Sequence, residues 1–292
     1  MNIVNLLNAL PGAVAQGLVW GIMAIGVYIT FRILDIADLT VDGSMCTGGA
    51  VCIMLLLSGH NVWLAMLGAV LAGALAGLAT GIFHTFMGIP AILSGILTQL
   101  ALWSVNLKIM GKANQAINVN KYDLLISLRF IKGVPFYKNT ILLVALLILV
   151  LILFLYWFFG TEMGCALRAT GCNDKMARAQ GINTDFSRVL GLMVSNALVA
   201  LSGALLIQYQ GFADINMGRG AIVIGLAAVI IGEALFGRIF RNFGFRLLGV
   251  ALGSIVYYLA YQFVIWLGID PDLLKLLSAL LVAVFLAIPT WK

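Results

Sequence analysis

The chain has 292 residues, of which 63% are hydrophobic and only 10% charged, with a mean hydropathy of +1.10. A water-soluble domain needs far more charge to cover its surface. The composition therefore excludes one and predicts an all-α polytopic membrane protein, a single transmembrane domain over residues 1–292 surrounded by membrane lipid. The net charge of +6 lies in loops flanking apolar spans, so no nucleic-acid partner is implied.

About nine apolar segments approach the length that crosses the hydrocarbon core, at roughly 12–34, 43–58, 62–86, 89–110, 139–159, 186–208, 219–237, 243–267 and 272–289. They are read as transmembrane or half-membrane helices. The first lacks a basic n-region and a small-residue cleavage site, and is expected to be retained. After it comes Ala37-Asp38-Leu39-Thr40-Val41-Asp42-Gly43-Ser44. Asp38 and Asp42 would share a face if helical. Asp42 reads as the cap of the segment 44–58. Asp38 stays open to a place on a solute path, because acids beside a span face protein, water or substrate.

The fourth span carries Thr98, Gln99, Ser104 and Asn106; the sixth carries Ser195, Asn196 and Ser202, with Gln208 at its outer end. Such groups either bond helices together or line a path. Ala213-Asp214-Ile215-Asn216-Met217-Gly218 then repeats the pattern at Asp38, and both copies precede a short apolar segment. The intervening spans, the second to the sixth, are odd in number, which gives the two copies opposite topology. Interrupted segments at matching places in inverted halves point to a transport pathway. The candidate path residues are Asp38, Thr40, Asp42, Ser44, Gln99, Asn106, Asn196, Gln208, Asp214 and Asn216.

Two hydrophilic stretches interrupt the apolar pattern, at 111–138 and 160–187. The second is a polar island whose composition predicts a short amphipathic helix from about Cys172 to Gln180. Asn173 or Asp174 would cap its start, Lys175 and Arg178 would project charge, and Gly181 would end it. A basic folded segment between two spans is suited to docking a soluble partner. With the island inside, Arg32, Arg168, Lys175, Arg178, Arg188, Arg238, Arg241, Arg246 and Lys292 lie at cytoplasmic ends. Lys108, Lys112, Lys121, Arg129, Lys132 and Lys138 then fall outside with the stretch 111–138, as does the N-terminus.

Cys46, Cys52, Cys165 and Cys172 form no CxxC pair and read as free thiols. His60 and His84 have no second ligand at metal spacing. No GxxxxGK[ST] loop, HExxH pair or nucleophile elbow is present, so neither an ATP site nor catalysis is expected in this chain. Scarce mid-span acid argues against an ion-coupled secondary transporter, the rival that also uses inverted repeats. A channel would want a filter or a pore-lining ring, which no repeated motif supplies.

Leu167-Arg168-Ala169-Thr170-Gly171-Cys172-Asn173, with Ala177, Ala179 and Gly181-Ile182-Asn183, resembles the cytoplasmic loop of bacterial ABC-importer permeases of the branched-chain amino acid and ribose type. Arg178 stands between two alanines where that family often has adjacent ones. Asp38 to Ser44, Ala91 to Thr98 and Ser104 to Gly111 are similar to the branch assigned to tryptophan and tyrosine uptake. The resemblance covers about residues 12–289. It implies a multi-pass permease of the bacterial cell membrane, paired with a second and identical copy. Cytoplasmic ATPase subunits would bind ATP and magnesium, and an extracytoplasmic binding protein would deliver a small nutrient, an aromatic amino acid in the first instance. A sugar or nucleoside would be the alternative cargo. It also implies that the island is the coupling element, through Arg168, Ala169, Thr170, Gly171, Asn173, Lys175, Ala177, Arg178 and Gly181.

Overall fold

A computed structural model describes residues 3–119, 122, 124–131, 139–268 and 273–287. Lys121, Lys132, Lys138 and Lys292, which enter the charge reading, lie outside the described residues. Helix α1 (Ile3–Tyr28) continues into a π-helical turn (Ile29–Ile33), and is followed by α2 (Thr40–Leu57), α3 (Val62–Thr85) and α4 (Ala91–Met110). Strand β1 (Asn114–Ala116) precedes α5 (Thr140–Phe158), α6 (Glu162–Cys172), α7 (Asp174–Ala179) and α8 (Thr184–Gln210). Strand β2 (Phe212–Asp214), α9 (Ala221–Phe236), α10 (Phe243–Trp266) and α11 (Leu274–Ala287) complete the described chain. Among the described residues seven helices are long and apolar enough to cross a membrane, while α9 and α11 are shorter. This is an all-α polytopic membrane protein.

Element ends follow local chemistry. Asn61, Asn139 and Asn183 accept from the backbone N–H groups of Trp63, Ile141 and Phe186 at the starts of α3, α5 and α8. Helices α4 and α8 both stop at a left-handed glycine, Gly111 (φ 71°) and Gly211 (φ 82°). Each glycine turns the chain into a strand, and β1 pairs antiparallel with β2, Gln115 opposite Ala213. Three-residue strands show no periodicity in sequence, which is why this pairing is invisible there.

The centre of the bundle is α2, α3 and α8 with α1 beside them. Their backbones touch where glycine removes the side chain. A Cβ on Gly48 would lie 2.1 Å from the Ala200 carbonyl oxygen, and one on Gly77 would lie 2.3 Å from that of Leu192. In lipid the gain comes from this close packing rather than from a hydrophobic drive between helices. The outer faces are apolar and exposed: Leu67, Leu71 and Leu75 form one stripe of α3 at helical spacing. That face is built for acyl chains.

Helix directions follow from the contacts. Ser44, Gly48 and Cys52 meet Asn196, Ala200 and Ala204 in ascending order, so α2 runs parallel to α8. Gly232 and Gly253 meet Gly249 and Ala228, so α9 runs antiparallel to α10. Helix α1 lies antiparallel to both α8 and α10, since Val19 and Gly26 meet Ser202 and Ser195, and Gly17 and Gly21 meet Ile255 and Ala251. Helices α2 and α9 therefore point in opposite directions, and their first turns are adjacent. Each is approached through the same turn: the Asp38 carboxylate accepts from Thr40 N–H (2.9 Å), and that of Asp214 from Asn216 N–H (2.7 Å). The two matching segments of the sequence thus share local geometry and have opposed helices after them.

Candidate functional site

The first candidate region lies where α2 begins, level with the middle of α8. Asn196 is the hub. Its amide donates to Asp38 Oδ2 (2.7 Å) and to the Leu192 carbonyl (3.0 Å), and its oxygen accepts from Ser44 Oγ (2.6 Å). A hydroxyl chain continues it: Thr40 and Thr80 lie 2.7 Å apart, and Thr80 donates to Thr98 (2.9 Å). Asp38, Thr40, Ser44, Thr80, Thr98 and Asn196 are all buried. Polar groups in an apolar interior persist because each finds a partner. The seam joins α2, α3, α4 and α8.

Asp42 departs from the sequence reading. It does not cap α2, which begins earlier, at Thr40, behind the Asp38 turn. Asp42 lies in the first turn of α2, and its carboxylate accepts from the backbone N–H groups of Gly220 (2.9 Å) and Ile222 (3.0 Å). It caps α9 across the interface between the two halves. The two acids therefore share no helix face. Sequence alone could not reveal that partner, 178 residues away.

A second polar region opens beside the seam. Asp42, Gly43, Cys46, Gln99, Asn106, Asn216 and Arg219 line a cleft of about 100 Å³, with Leu100 and Trp103 at its apolar side. Asn106 donates towards the Gly43 carbonyl (3.5 Å), while its own oxygen is buried without a hydrogen-bond partner. Asn216 and Arg219 are exposed. The candidate path residues thus divide. Asp38, Thr40, Ser44 and Asn196 form the closed seam; Asp42, Gln99, Asn106 and Asn216 meet at the cleft, and Asp214 shapes the turn that carries Asn216. Gln208 stands apart, buried, accepting from Leu125 N–H (3.1 Å). Arg219 and Trp103 are additions from the structure. The signal for Arg219 was a cation at the head of an interrupted apolar segment.

The island is two helices rather than one. Helices α6 and α7 meet at Asn173, whose extended backbone (φ −161°) breaks the run and whose side chain accepts from Met176 N–H. Arg168, Thr170, Gly171 and Ala177 face the bundle. The Arg168 guanidinium lies 4.4 Å from the centre of the Phe243 ring. A Cβ on Gly171 would come within 1.7 Å of the Ile33 carbonyl oxygen. Asn173 is the hinge between the helices, and Gly181 (φ 83°) is the left-handed turn after them. Ala169 is half-buried, and Lys175, Met176 and Arg178 are exposed. Arg178 is not free: it donates to Thr184 Oγ1 (2.6 Å) and to Asp185 Oδ1 (2.8 Å), while Arg188 holds Asp174 (3.0 Å). Glu233 bonds Arg32 at the base of α9. The four cysteines are free thiols, Cys165 and Cys172 exposed.

Comparison with known proteins places this arrangement. Residues 10–288 match the branched-chain amino acid transport system permease component family. A tyrosine transport system permease protein of Clostridioides difficile is 37% identical over 281 residues, 96% of this chain and 91% of that protein. A galactofuranose transporter permease of Escherichia coli is 26% identical, over 93% of this chain and 76% of its own. Among solved structures, an inward-facing metal-chelate type ABC transporter superposes with a TM-score of 0.52 over 97% of this chain and 85% of its own, at 16% identity, a likeness of fold alone. The chain belongs to the branched-chain amino acid transport system permease family and is a multi-pass ABC transporter permease.

Proposed function

We propose that this permease belongs to an ATP-driven importer of an aromatic amino acid, tyrosine or tryptophan, in a bacterial cell membrane. The observation that carries the cargo is the 37% identity to a tyrosine transport permease over nearly the whole of both chains. Two copies of the chain would flank the path, an extracytoplasmic binding protein would deliver the solute beside the stretch 111–138, and two ATPase subunits would bind ATP and magnesium. The α6–α7 pair is the coupling element. Lys175, Met176 and Arg178 would meet the ATPase, while Arg168, Ala169, Thr170, Gly171, Asn173, Ala177 and Gly181 set the pair against the bundle. Supporting this division, α7 is braced by three ion-paired or hydrogen-bonded side chains of α8, so a push on its exposed face reaches a central helix. The face can drive transport only if ATP favours one arrangement of the bundle over the other.

The test is uptake of labelled tyrosine, with copurification of the ATPase subunit from detergent-solubilised membranes. Wild-type cells should take up tyrosine, and Lys175→Glu with Met176→Asp should cut ATPase recovery at least about tenfold at unchanged permease abundance. Uptake of a hexose instead of tyrosine would move the cargo to the sugar class. ATPase recovery unaffected by both substitutions would sink the assignment of the coupling face.

A further inference from the structure

The cleft brings an exposed cation deep into the bundle. Gly43 packs against Gln99 and Leu102 near the midpoint of α4, and Ser44 bonds Asn196 near the midpoint of α8. Asp42 lies beside them and bonds the first turn of α9. The cleft therefore opens at mid-depth of the bundle. Arg219 stands there with its side chain exposed. Among the described residues it makes no ion pair. The acid of the cleft, Asp42, attracts it without forming an ion pair and gives both carboxylate oxygens to backbone amides. A guanidinium facing hydrocarbon at this depth is expensive, so it faces water, protein or a solute.

Its neighbours fit the last of these. Gln99, Asn106 and Asn216 surround it with neutral amide groups, and the Asn106 oxygen is buried with no hydrogen-bond partner. The apolar side is Leu100 and Trp103. The cleft holds about 100 Å³, room for several waters or for one polar end of a solute. Arginine is the side chain that grips a carboxylate with two parallel N–H donors. A neutral sugar offers it no such partner.

We infer that Arg219 binds the carboxylate of the passing solute, with Asn106 and Asn216 as adjacent polar contacts and Trp103 beside the solute's apolar part. The site selects acids over neutral solutes within the permease itself. The inference rests on the amino-acid reading above and names the group of the cargo that the membrane chain recognises.

The experiment has two arms, on the full chain expressed with its ATPase and binding protein. In the first, Arg219→Cys is placed in a Cys46→Ser, Cys165→Ser, Cys172→Ser background, and membranes are treated with sulfonatoethyl methanethiosulfonate. Labelling at position 219 is expected, and absence of labelling overturns a water-lined site. In the second, tyrosine uptake is measured for Arg219→Gln and Arg219→Lys. Gln should lower the maximal rate at least about tenfold at equal membrane abundance, while Lys, which keeps the charge and loses the fork, should lower it clearly less than Gln does. Uptake by the Gln variant within twofold of wild type, or equal loss in both variants, overturns the inference. If the Gln variant does not accumulate, the cysteine variant decides. Aminoethyl methanethiosulfonate, which restores a positive charge, should raise uptake, and the sulfonate reagent should not. Equal effects of the two reagents overturn the inference. Wild-type cells that take up neither tyrosine nor tryptophan refute the preceding reading instead, which keeps the two failures distinct.

Discussion

The closed seam at Asn196 and the open cleft at Arg219 lie side by side at the same depth, yet their polar groups are in opposite circumstances. In the seam every named side chain has a partner within 3.0 Å and none has exposure to spare. In the cleft one buried amide oxygen and one exposed guanidinium have none. Sequence places Asn196 and Asn106 in the same class, polar residues within apolar spans. What separates them is satisfaction: a fully bonded polar group holds helices together, and an unsatisfied one waits for something that arrives.

Substitutions can break or sharpen that contrast. The largest effect is expected from Gly48→Val. The new side chain has nowhere to go against Ala200, and the cost of about 3 kcal/mol should appear as loss of folded protein in a fluorescence size-exclusion assay. Asn196→Ala strips Asp38 Oδ2 and the Ser44 hydroxyl of their partner. It should destabilise the detergent-solubilised protein by about 2 kcal/mol, read as a lower midpoint in a thermal scan. Asp42→Ala removes the cap of α9 and should cost about 1 kcal/mol, with faster proteolysis near residue 220 as a second readout. Asn216→Ala lies at the other extreme. Stability should change by less than about 0.5 kcal/mol while tyrosine uptake falls, since the side chain supports no packing. An Asn216→Ala variant that unfolds as readily as Asn196→Ala would erase the distinction between the regions.

Much of the frame is legible in the residues. Hydropathy alone places eight of the nine apolar helices to within a few residues, because apolar length has no other use in such a chain; the first is placed only at its end, since α1 already begins at Ile3. The matching Ala-Asp segments locate the approaches to α2 and α9, since the same Asx turn precedes each. The Asp42 cap is not legible, because its amide partners belong to backbone far along the chain. Nor is the inward role of Arg168 or Gly171. A cation and a glycine in a polar loop read as exposed until the rings of Phe159 and Phe243 and the Ile33 carbonyl close over them. The start of α7 is legible, since Asn173 reads as a cap and accepts from Met176 N–H, whereas helix α6 before it is not.

The glycine contacts among α2, α3 and α8 also bear on motion. With backbone against backbone at Gly48, Gly73, Gly77 and Gly203, these helices have no cushion of rotamers to absorb a slide, and a shift of one turn would drive larger side chains into those gaps. They form a keel of fixed register. Whatever rocking carries a solute through must be taken up at the periphery, by α4 on one flank and by α9, α10 and α5 on the other, pivoting on a centre that does not shear.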